Sequence, residues 1–524
     1  MSEKQSVAQG TLVLTASSLF NRILGFIYQI LMVRLLKAEG IGLFSMIYPV
    51  YVLFLVVASA GIPVAIAKLV AEESARGNLA HAYRILQISL GYVFGSALIL
   101  SIILFLFGTP LLTMVFDNPD VHLAFKVLTP GILIVAVCSA FRGFFQGLQQ
   151  MSPTAVTQAV EQSVRVVSGV VLAYLLMPQG IAWATAGASA GVVLGELSGF
   201  LLMLLIFLTR RPAVAGGTRT AASFEHLVVT SRRILSVAGP VTVSRVFSTA
   251  LLSIDAVMIP KRLAAAGLST AEATAVYGKL AGMAQTLLFT PGILTISLAT
   301  ALLPAISNAH ARGDSTLLLS RVGSALRLTL LIGIPSAVLF LTLPRHICGL
   351  LFGYPEAGVI LQFLAIGGPF LYIIQTTTGI LQGLGKAMQP LVNLLVASVL
   401  KIAGVYYLTA MPGLAVNGAA LALAAHLAVM ALLNLRDIHR LTGYRPDYLN
   451  SLGKTALGAL AMVAVIQWVG PAPDSVFGTM LAISGGLAAY TAVVILTGAL
   501  AREERTRLGG LMRDLLRRGP GRWN

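Results

Sequence analysis

Apolar stretches of roughly 20 residues recur along the whole chain, each long enough to cross a hydrocarbon core about 30 Å thick. They predict an all-α polytopic membrane protein of about 14 transmembrane helices, at 11–36, 41–67, 84–107, 124–148, 153–176, 181–208, 234–259, 277–304, 323–343, 357–384, 389–410, 414–435, 453–470 and 476–499. The first span carries a second pattern inside it. Thr11, Thr15, Ser18, Arg22, Gly25 and Gln29 fall at alternating intervals of four and three, which is one face of a helix, and that face is polar. Leu19, Phe20, Ile23, Ile27 and Ile30 cover the remainder. Such a helix turns its apolar surface to lipid and lines something wet with an arginine.

The pattern also repeats. Gln146-Gly147-Leu148 before Pro153 matches Gln382-Gly383-Leu384 before Pro390, and Pro178 before Gly180-Ile181-Ala182 matches Pro412 before Gly413-Leu414-Ala415. Ala75-Arg76-Gly77-Asn78 after Pro63 matches Ala311-Arg312-Gly313-Asp314 after Pro304, and Asn21-Arg22 matches Ser244-Arg245. The order is kept, at offsets of about 223 to 241 residues. Two pseudo-symmetric six-helix lobes follow, in the same orientation because six is even. The expected organisation is an N-lobe at 1–208, a basic cytoplasmic linker at 209–233, a C-lobe at 234–436, two further C-terminal helices within 437–500 and a basic cytoplasmic tail at 501–524.

Composition agrees with the spans. Of 524 residues, 57% are hydrophobic and only 10% charged, and the mean hydropathy is +0.88, whereas soluble proteins carry about 25% charged residues. The N-terminal stretch lacks a small-residue cleavage site and reads as a retained span. Cys138 and Cys348 lie in or beside apolar spans without paired spacing, which fits packed thiols better than a disulfide or zinc site.

The net charge of +17 raises nucleic-acid binding, but the distribution argues for topology. Placing both termini in the cytoplasm puts most Lys and Arg on the inner side, leaving Arg34, Lys37, Lys261, Arg262 and Arg345 outside. The tail arginines (Arg502, Arg505, Arg507, Arg513, Arg517, Arg518 and Arg522) then serve as an anchor on anionic membrane lipids. Nucleic-acid modules and their interleaved aromatics are missing.

No enzyme signature stands up. Gly453-Lys454-Thr455 ends like a phosphate loop, but Tyr448 occupies the place of the required glycine. None of the 7 histidines lies in HExxH spacing. Without a nucleotide motif, transport would run on an ion gradient or the membrane potential, with no cofactor beyond Na+ or H+ as coupling ion.

The charges within the spans carry the chemistry. Arg22, Lys126, Arg142, Arg165, Arg245, Lys279, Arg327 and Lys401 outnumber Glu161, Glu196 and Asp255. Each costs about 2.5–3.5 kcal/mol at mid-membrane on the insertion scale, so each is expected to face a cavity or a partner. Lys126, Arg142, Lys279 and Arg327 are near enough to span ends to snorkel, and Glu161 and Arg165 are spaced to pair on one helix. Arg22 and Arg245 have no acid three or four residues away, sit near mid-depth and are repeat equivalents, so they are expected to face each other across the pseudo-twofold axis. A positive cavity favours an anionic cargo, and guanidinium forks suit phosphate and carboxylate. Pro49, Pro63, Pro291-Gly292 and Pro304 break spans two and eight where a moving helix would bend.

Phe20-Asn21-Arg22-Ile23-Leu24-Gly25-Phe26, Gly40-Ile41-Gly42-Leu43 and Tyr48-Pro49-Val50-Tyr51 resemble the stage V sporulation protein B group of the MOP (multidrug/oligosaccharidyl-lipid/polysaccharide) exporter superfamily. So does Arg142-Gly143-Phe144-Phe145-Gln146-Gly147 running through Pro153-Thr154-Ala155, Gln158, Glu161-Gln162 and Arg165. Thr290-Pro291-Gly292 to Leu303-Pro304-Ala305-Ile306-Ser307 is similar to the same span of the lipid II flippases. The resemblance covers essentially the whole chain.

It implies alternating access around a central cationic cavity, a lateral gate near spans one and eight, a groove at spans thirteen and fourteen for a lipid tail, and a polyprenyl-pyrophosphate-linked cell-wall precursor as cargo. By motif, Arg22 matches the family's cavity arginine. Arg245, Arg142, Lys401, Gln29 and Arg165 complete the expected substrate-binding set, and Gly25, Pro49 and Pro291 the expected gate. Asp255 looks like a span-seven acid that binds sodium in some members, with Asn393 and Asn417 as co-ligands. The chain departs from the lipid II flippases at Tyr28 and Gln29, where they carry a second arginine and an acid, and at Gln285, where they carry an arginine. The cargo is then lipid II or a related lipid-linked oligosaccharide. The alternatives are a multidrug or cation antiporter of the same fold and a non-transporting scaffold of a wall-synthesis complex. A monomer in the bacterial cytoplasmic membrane is expected.

Overall fold

A computed structural model describes residues 7–59, 61–209, 224–445, 452–471 and 475–498. The expected tail at 501–524 and the linker residues 210–223 lie outside them. The first half comprises α1 (Val7–Ser59), α2 (Ile62–Ala75), α3 (Leu79–Val115), α4 (Val121–Gly147), α5 (Ser152–Leu176) and, after a 3₁₀ turn at Met177–Gln179, α6 (Ile181–Thr209). The chain continues through α7 (Phe224–Ala265), α8 (Thr270–Gly278), a π-helical segment at Lys279–Ala284, α9 (Gln285–Phe289), α10 (Gly292–Ala311) and α11 (Ser315–Thr342). It ends with α12 (Pro344–Phe352), α13 (Ala357–Ala365), α14 (Gly368–Gly383), α15 (Gln389–Leu408), α16 (Val416–Thr442), α17 (Lys454–Val469) and α18 (Val476–Leu496). No strand occurs among the described residues.

Eleven of the described helices are long and apolar enough to cross a membrane, and twelve if the bent pair α13–α14 forms one span. One of the eleven, the 44-residue stretch Ala16–Ser59 within α1, runs from the first predicted span into the second. It is divided at Lys37, whose φ of 57° and ψ of −173° are not helical. The predicted second span breaks again before α2. Gly61 takes φ 63°, and a Cβ there would lie 2.7 Å from the Ala238 carbonyl oxygen, so only glycine turns the chain at this point. Pro63 therefore starts a helix instead of bending one.

The described chain packs as two compact units, Met1–Thr286 with Ser398–Ala422, and Leu287–Ala397 with Leu423–Asn524. These units do not divide at 209–233. The reason is α7, which packs on α1, α2 and α3 and so groups with the first half. The first unit is built around fully buried Tyr51, Phe125 and Phe144. In the second, Leu302, Ile306, Val322, Ile380, Leu381 and Ile438 form one apolar cluster. The outer face of α3 presents Ile99, Ile102, Phe105, Leu106 and Phe107, as a lipid-facing surface requires.

The repeat is visible in the backbone. Gly77 (φ 75°) is followed by Asn78, whose side chain caps α3 by accepting from His81 N–H. Gly313 (φ 67°) is followed by Asp314, which caps α11 from Leu317 N–H. Gln149 and Gly385 both take positive φ. A Cβ on Gly143 would lie 2.4 Å from the Pro63 carbonyl, and one on Gly379 would lie 2.8 Å from that of Ala299. All these pairs are about 236 residues apart, so the two halves share helix ends and close helix contacts as well as words in the sequence.

Candidate functional site

Part of the polar face of α1 turns inward, although Ser18 is exposed. Leu19, Phe20, Ile23 and Ile27 are exposed on its apolar side, while Asn21, Arg22, Gly25 and Gln29 are half-buried. A Cβ on Gly25 would meet the Gln162 amide of α5 at 3.5 Å, which places this stretch of the stripe beside α5. Arg22 forms no ion pair with any carboxylate among the described residues, and its repeat equivalent Arg245, exposed on α7, likewise forms none. Gln29 is committed. Its side-chain N–H donates to the Gly282 carbonyl at 2.7 Å, inside the π-helical segment where backbone carbonyls are looser.

The contact of α1 with α8 is made of backbone. A Cβ on Gly42 would sit 2.0 Å from the Thr274 carbonyl oxygen, and one on Gly278 would sit 2.1 Å from that of Ala38. Small residues on both sides let the two helices touch directly, and Asn118 holds the Thr274 hydroxyl at 3.0 Å from a third side. The expected gate residues lie at distinct points. Pro49 is inside α1, and its carbonyl accepts from the Ser253 hydroxyl at 3.0 Å. Pro291 is the N-cap of α10, at the break that follows α9.

Arg142 and Arg165, both in the expected cargo-binding set, have carboxylate partners, and the pair of Arg165 with Glu161 is the one their spacing predicted. Arg142 Nη2 lies 2.6 Å from Glu161 Oε2, and Arg165 Nη2 lies 2.8 Å from Glu161 Oε1. Glu196, 5% exposed, stands 3.9 Å from Arg165 and accepts from the Tyr51 hydroxyl on both carboxylate oxygens, at 3.0 and 2.9 Å. Two arginines and two carboxylates thus close on one another in low dielectric, where an unpaired charge would be most unfavourable. Helix packing makes this possible. α6 places Gly187, Gly191, Gly195 and Gly199 on α5, and a Cβ on Gly191 would fall 2.2 Å from Gly169 Cα. That glycine ladder and the role of Tyr51 escaped the reading of the sequence, although the spacing of four was there to be seen.

Lys401 is also spoken for. It is 3% exposed, and its ammonium donates to Asp255 Oδ2 at 2.7 Å and to the Leu251 carbonyl at 3.1 Å. Of the expected sodium ligands, Asp255 thus has the Lys401 ammonium on one carboxylate oxygen, while its other oxygen is buried with no hydrogen-bond partner. Asn393 is engaged elsewhere, donating to Asn434 at 2.9 Å and to Asp437 at 2.7 Å. Asn417 keeps a buried side-chain oxygen with no hydrogen-bond partner. No cluster of three or more His, Cys, Asp or Glu able to hold a metal occurs among the described residues. Lys126, expected to snorkel, lies 5.0 Å from the centre of the Phe105 ring.

Comparison with known proteins places this geometry. The family model "Polysaccharide biosynthesis protein" matches residues 7–310, and the MatE model matches 265–407. The stage V sporulation protein B of Bacillus subtilis is 30% identical over 522 residues, covering 98% of this chain and 100% of that protein. The chain belongs to the stage V sporulation protein B group of the MOP superfamily. The lipid II flippase MurJ of the same organism is 26% identical, over 98% of this chain and 97% of its own. Among solved structures, lipid II flippase MurJ in an inward closed conformation superposes with a TM-score of 0.72 at 16% identity, over 93% of this chain and 99% of that one. An inward-facing MATE multidrug transporter of the MOP superfamily gives 0.66 at 15% identity, over 80% and 94%. This MOP-family member is a multi-span membrane transporter, not an enzyme.

Proposed function

We propose that this MOP transporter flips an anionic polyprenyl-pyrophosphate-linked glycan, lipid II or a related cell-wall precursor, across the bacterial cytoplasmic membrane by alternating access. One observation carries the reading. Arg142, Arg165 and Lys401 are neutralised within the protein, while Arg22 and Arg245 keep their charge without a carboxylate partner among the described residues. An arginine kept half-buried on a polar face at such expense suits a pyrophosphate, which a guanidinium fork binds through paired charge-assisted hydrogen bonds. The lipid II flippase relative supports the same class of cargo.

In this reading the basic loops face the cytoplasm, the protein works as a monomer, and the membrane potential or a gradient of Na+ or H+ drives the cycle. Arg22→Ala and Arg245→Ala are each expected to lower flipping of undecaprenyl-pyrophosphate-linked precursor in proteoliposomes by at least about tenfold, as loss of a charge-assisted pair predicts. Insertion and helix content should be unchanged. Wild-type flipping in both variants overturns the assignment, and drug-stimulated proton exchange in its place favours the antiporter.

A further inference from the structure

Within the second unit, α11, α14 and α16 enclose a cavity of about 1010 Å³ that also takes in the segment after α16 and Leu452, two residues before α17. Its floor is apolar, with Leu330 and Ile334 from α11, Ile373 from α14 and Leu432 from α16. Its rim is basic. Arg327 comes from α11, Arg436 and His439 from α16, and Arg445 from the segment beyond. Leu432, Arg436 and His439 are spaced by four and three, so one face of α16 runs from apolar to charged toward its C-terminus. Arg327, Leu330 and Ile334 run along α11 in the matching sense, with the charge nearer the helix N-terminus. No acidic side chain lines the cavity among the described residues. The nearby carboxylate of Asp437 is held by the Asn393 amide at 2.7 Å.

A trough with this polarity matches one kind of molecule, apolar along its length and anionic at one end. Leu432 is 59% exposed and Leu452 38%, so the trough opens sideways along the apolar outer surface and not only at its basic end. We propose that it is a binding site for an anionic glycerophospholipid of the surrounding leaflet, with acyl chains on Leu330, Ile334, Ile373 and Leu432 and the phosphate at the rim formed by Arg436 and Arg445. Charge complementarity selects the headgroup, and the apolar floor distinguishes a membrane lipid from free phosphate. The site is distinct from Arg22, which belongs to the other unit, and it does not depend on what the transporter carries.

The test uses the full chain purified in detergent and titrated with defined lipids, read by native mass spectrometry and thermal unfolding. Phosphatidylglycerol is expected to bind and stabilise, while phosphatidylcholine and inorganic phosphate do neither. The double variant Arg436→Glu with Arg445→Glu should bind phosphatidylglycerol about thirtyfold more weakly, the loss expected of two juxtamembrane basic contacts. Both side chains are exposed, so the core is untouched. A second variant, Leu330→Trp, fills the floor and should weaken binding with all the arginines in place. Unchanged phosphatidylglycerol binding in both variants overturns the proposal. So does binding of inorganic phosphate equal to that of the lipid, or stronger binding of undecaprenyl pyrophosphate at this rim, which would make the trough part of the cargo path.

Discussion

Arg165 on α5 and Lys401 on α15 occupy the same place in the repeat, about 236 residues apart, and are neutralised in different ways. Arg165 finds its acids on α5 itself and on α6, in a cluster with Arg142 and the Tyr51 hydroxyl. Lys401 finds a single acid on α7. The difference traces to where the acids stand. The place of Glu161 on α5 is taken on α15 by Ala397, so Lys401 has no acid one turn before it. α6 carries glycine at 187, 191, 195 and 199 and lies against the α5 backbone, so Glu196 reaches the cluster. α16 approaches α15 as closely, since a Cβ on Gly418 would lie 2.4 Å from the Leu408 carbonyl oxygen, but its acid, Asp437, is held by Asn393. Duplicated helices thus kept a cation in register while the placement of acids decided who neutralises it. In both halves the cation has a carboxylate partner.

The strongest test of this contrast removes the shared acid of the first cluster. Glu161→Gln strips a carboxylate from two arginines at once and is expected to destabilise the protein by about 3–5 kcal/mol or more, seen as a large drop in Tm in detergent. Lys401→Met leaves Asp255 buried and unpaired, for a loss of about 3–5 kcal/mol from one pair instead of two. Adding Asp255→Asn should recover most of it. If the single variant melts with wild type, the pair does not tie α15 to α7. The wild-type Tm should also be the same in sodium and choline chloride, and a sodium-specific rise would support a sodium site at Asp255.

Gly191→Ala probes the ladder itself. Its methyl group would meet Gly169 Cα at 2.2 Å, so α5 and α6 must separate, at about 1–3 kcal/mol. The smallest effect is expected where α8 begins. There the Ser269 hydroxyl and then its backbone N–H hold the exposed Glu272 carboxylate below its usual range. The cap is complete above the ordinary carboxylate pKa and is lost as pH falls through the lowered folded value. The protection of amides at the start of α8, relative to their intrinsic exchange at each pH, should fall over that acid range, and the fall should shrink in Ser269→Ala.

Much of the fold was legible because a membrane imposes length and apolarity on every crossing. Duplication was legible because turn residues cannot drift where φ is positive, as at Gly77 and Gly313. The candidate site was legible only in part. Arg22 stood out by its spacing and depth, and folding leaves it without a carboxylate partner among the described residues. The pairing of Arg165 with Glu161 was legible from their spacing of four on one helix. The partners of Arg142, Lys401 and Gln29 lie on helices 19 to 253 residues away, and no periodicity reports which faces meet.

The sequence by itself determined that this chain crosses a membrane many times, that it is a duplicated MOP protein, and which charges must be explained. Those conclusions follow from local quantities: the length of an apolar run, the conformation of a glycine, the cost of a charge in hydrocarbon. The tertiary structure decided which charges cancel. The attraction between two ions rises steeply as their separation falls, and that separation depends on which helix faces meet and where each carries its acid.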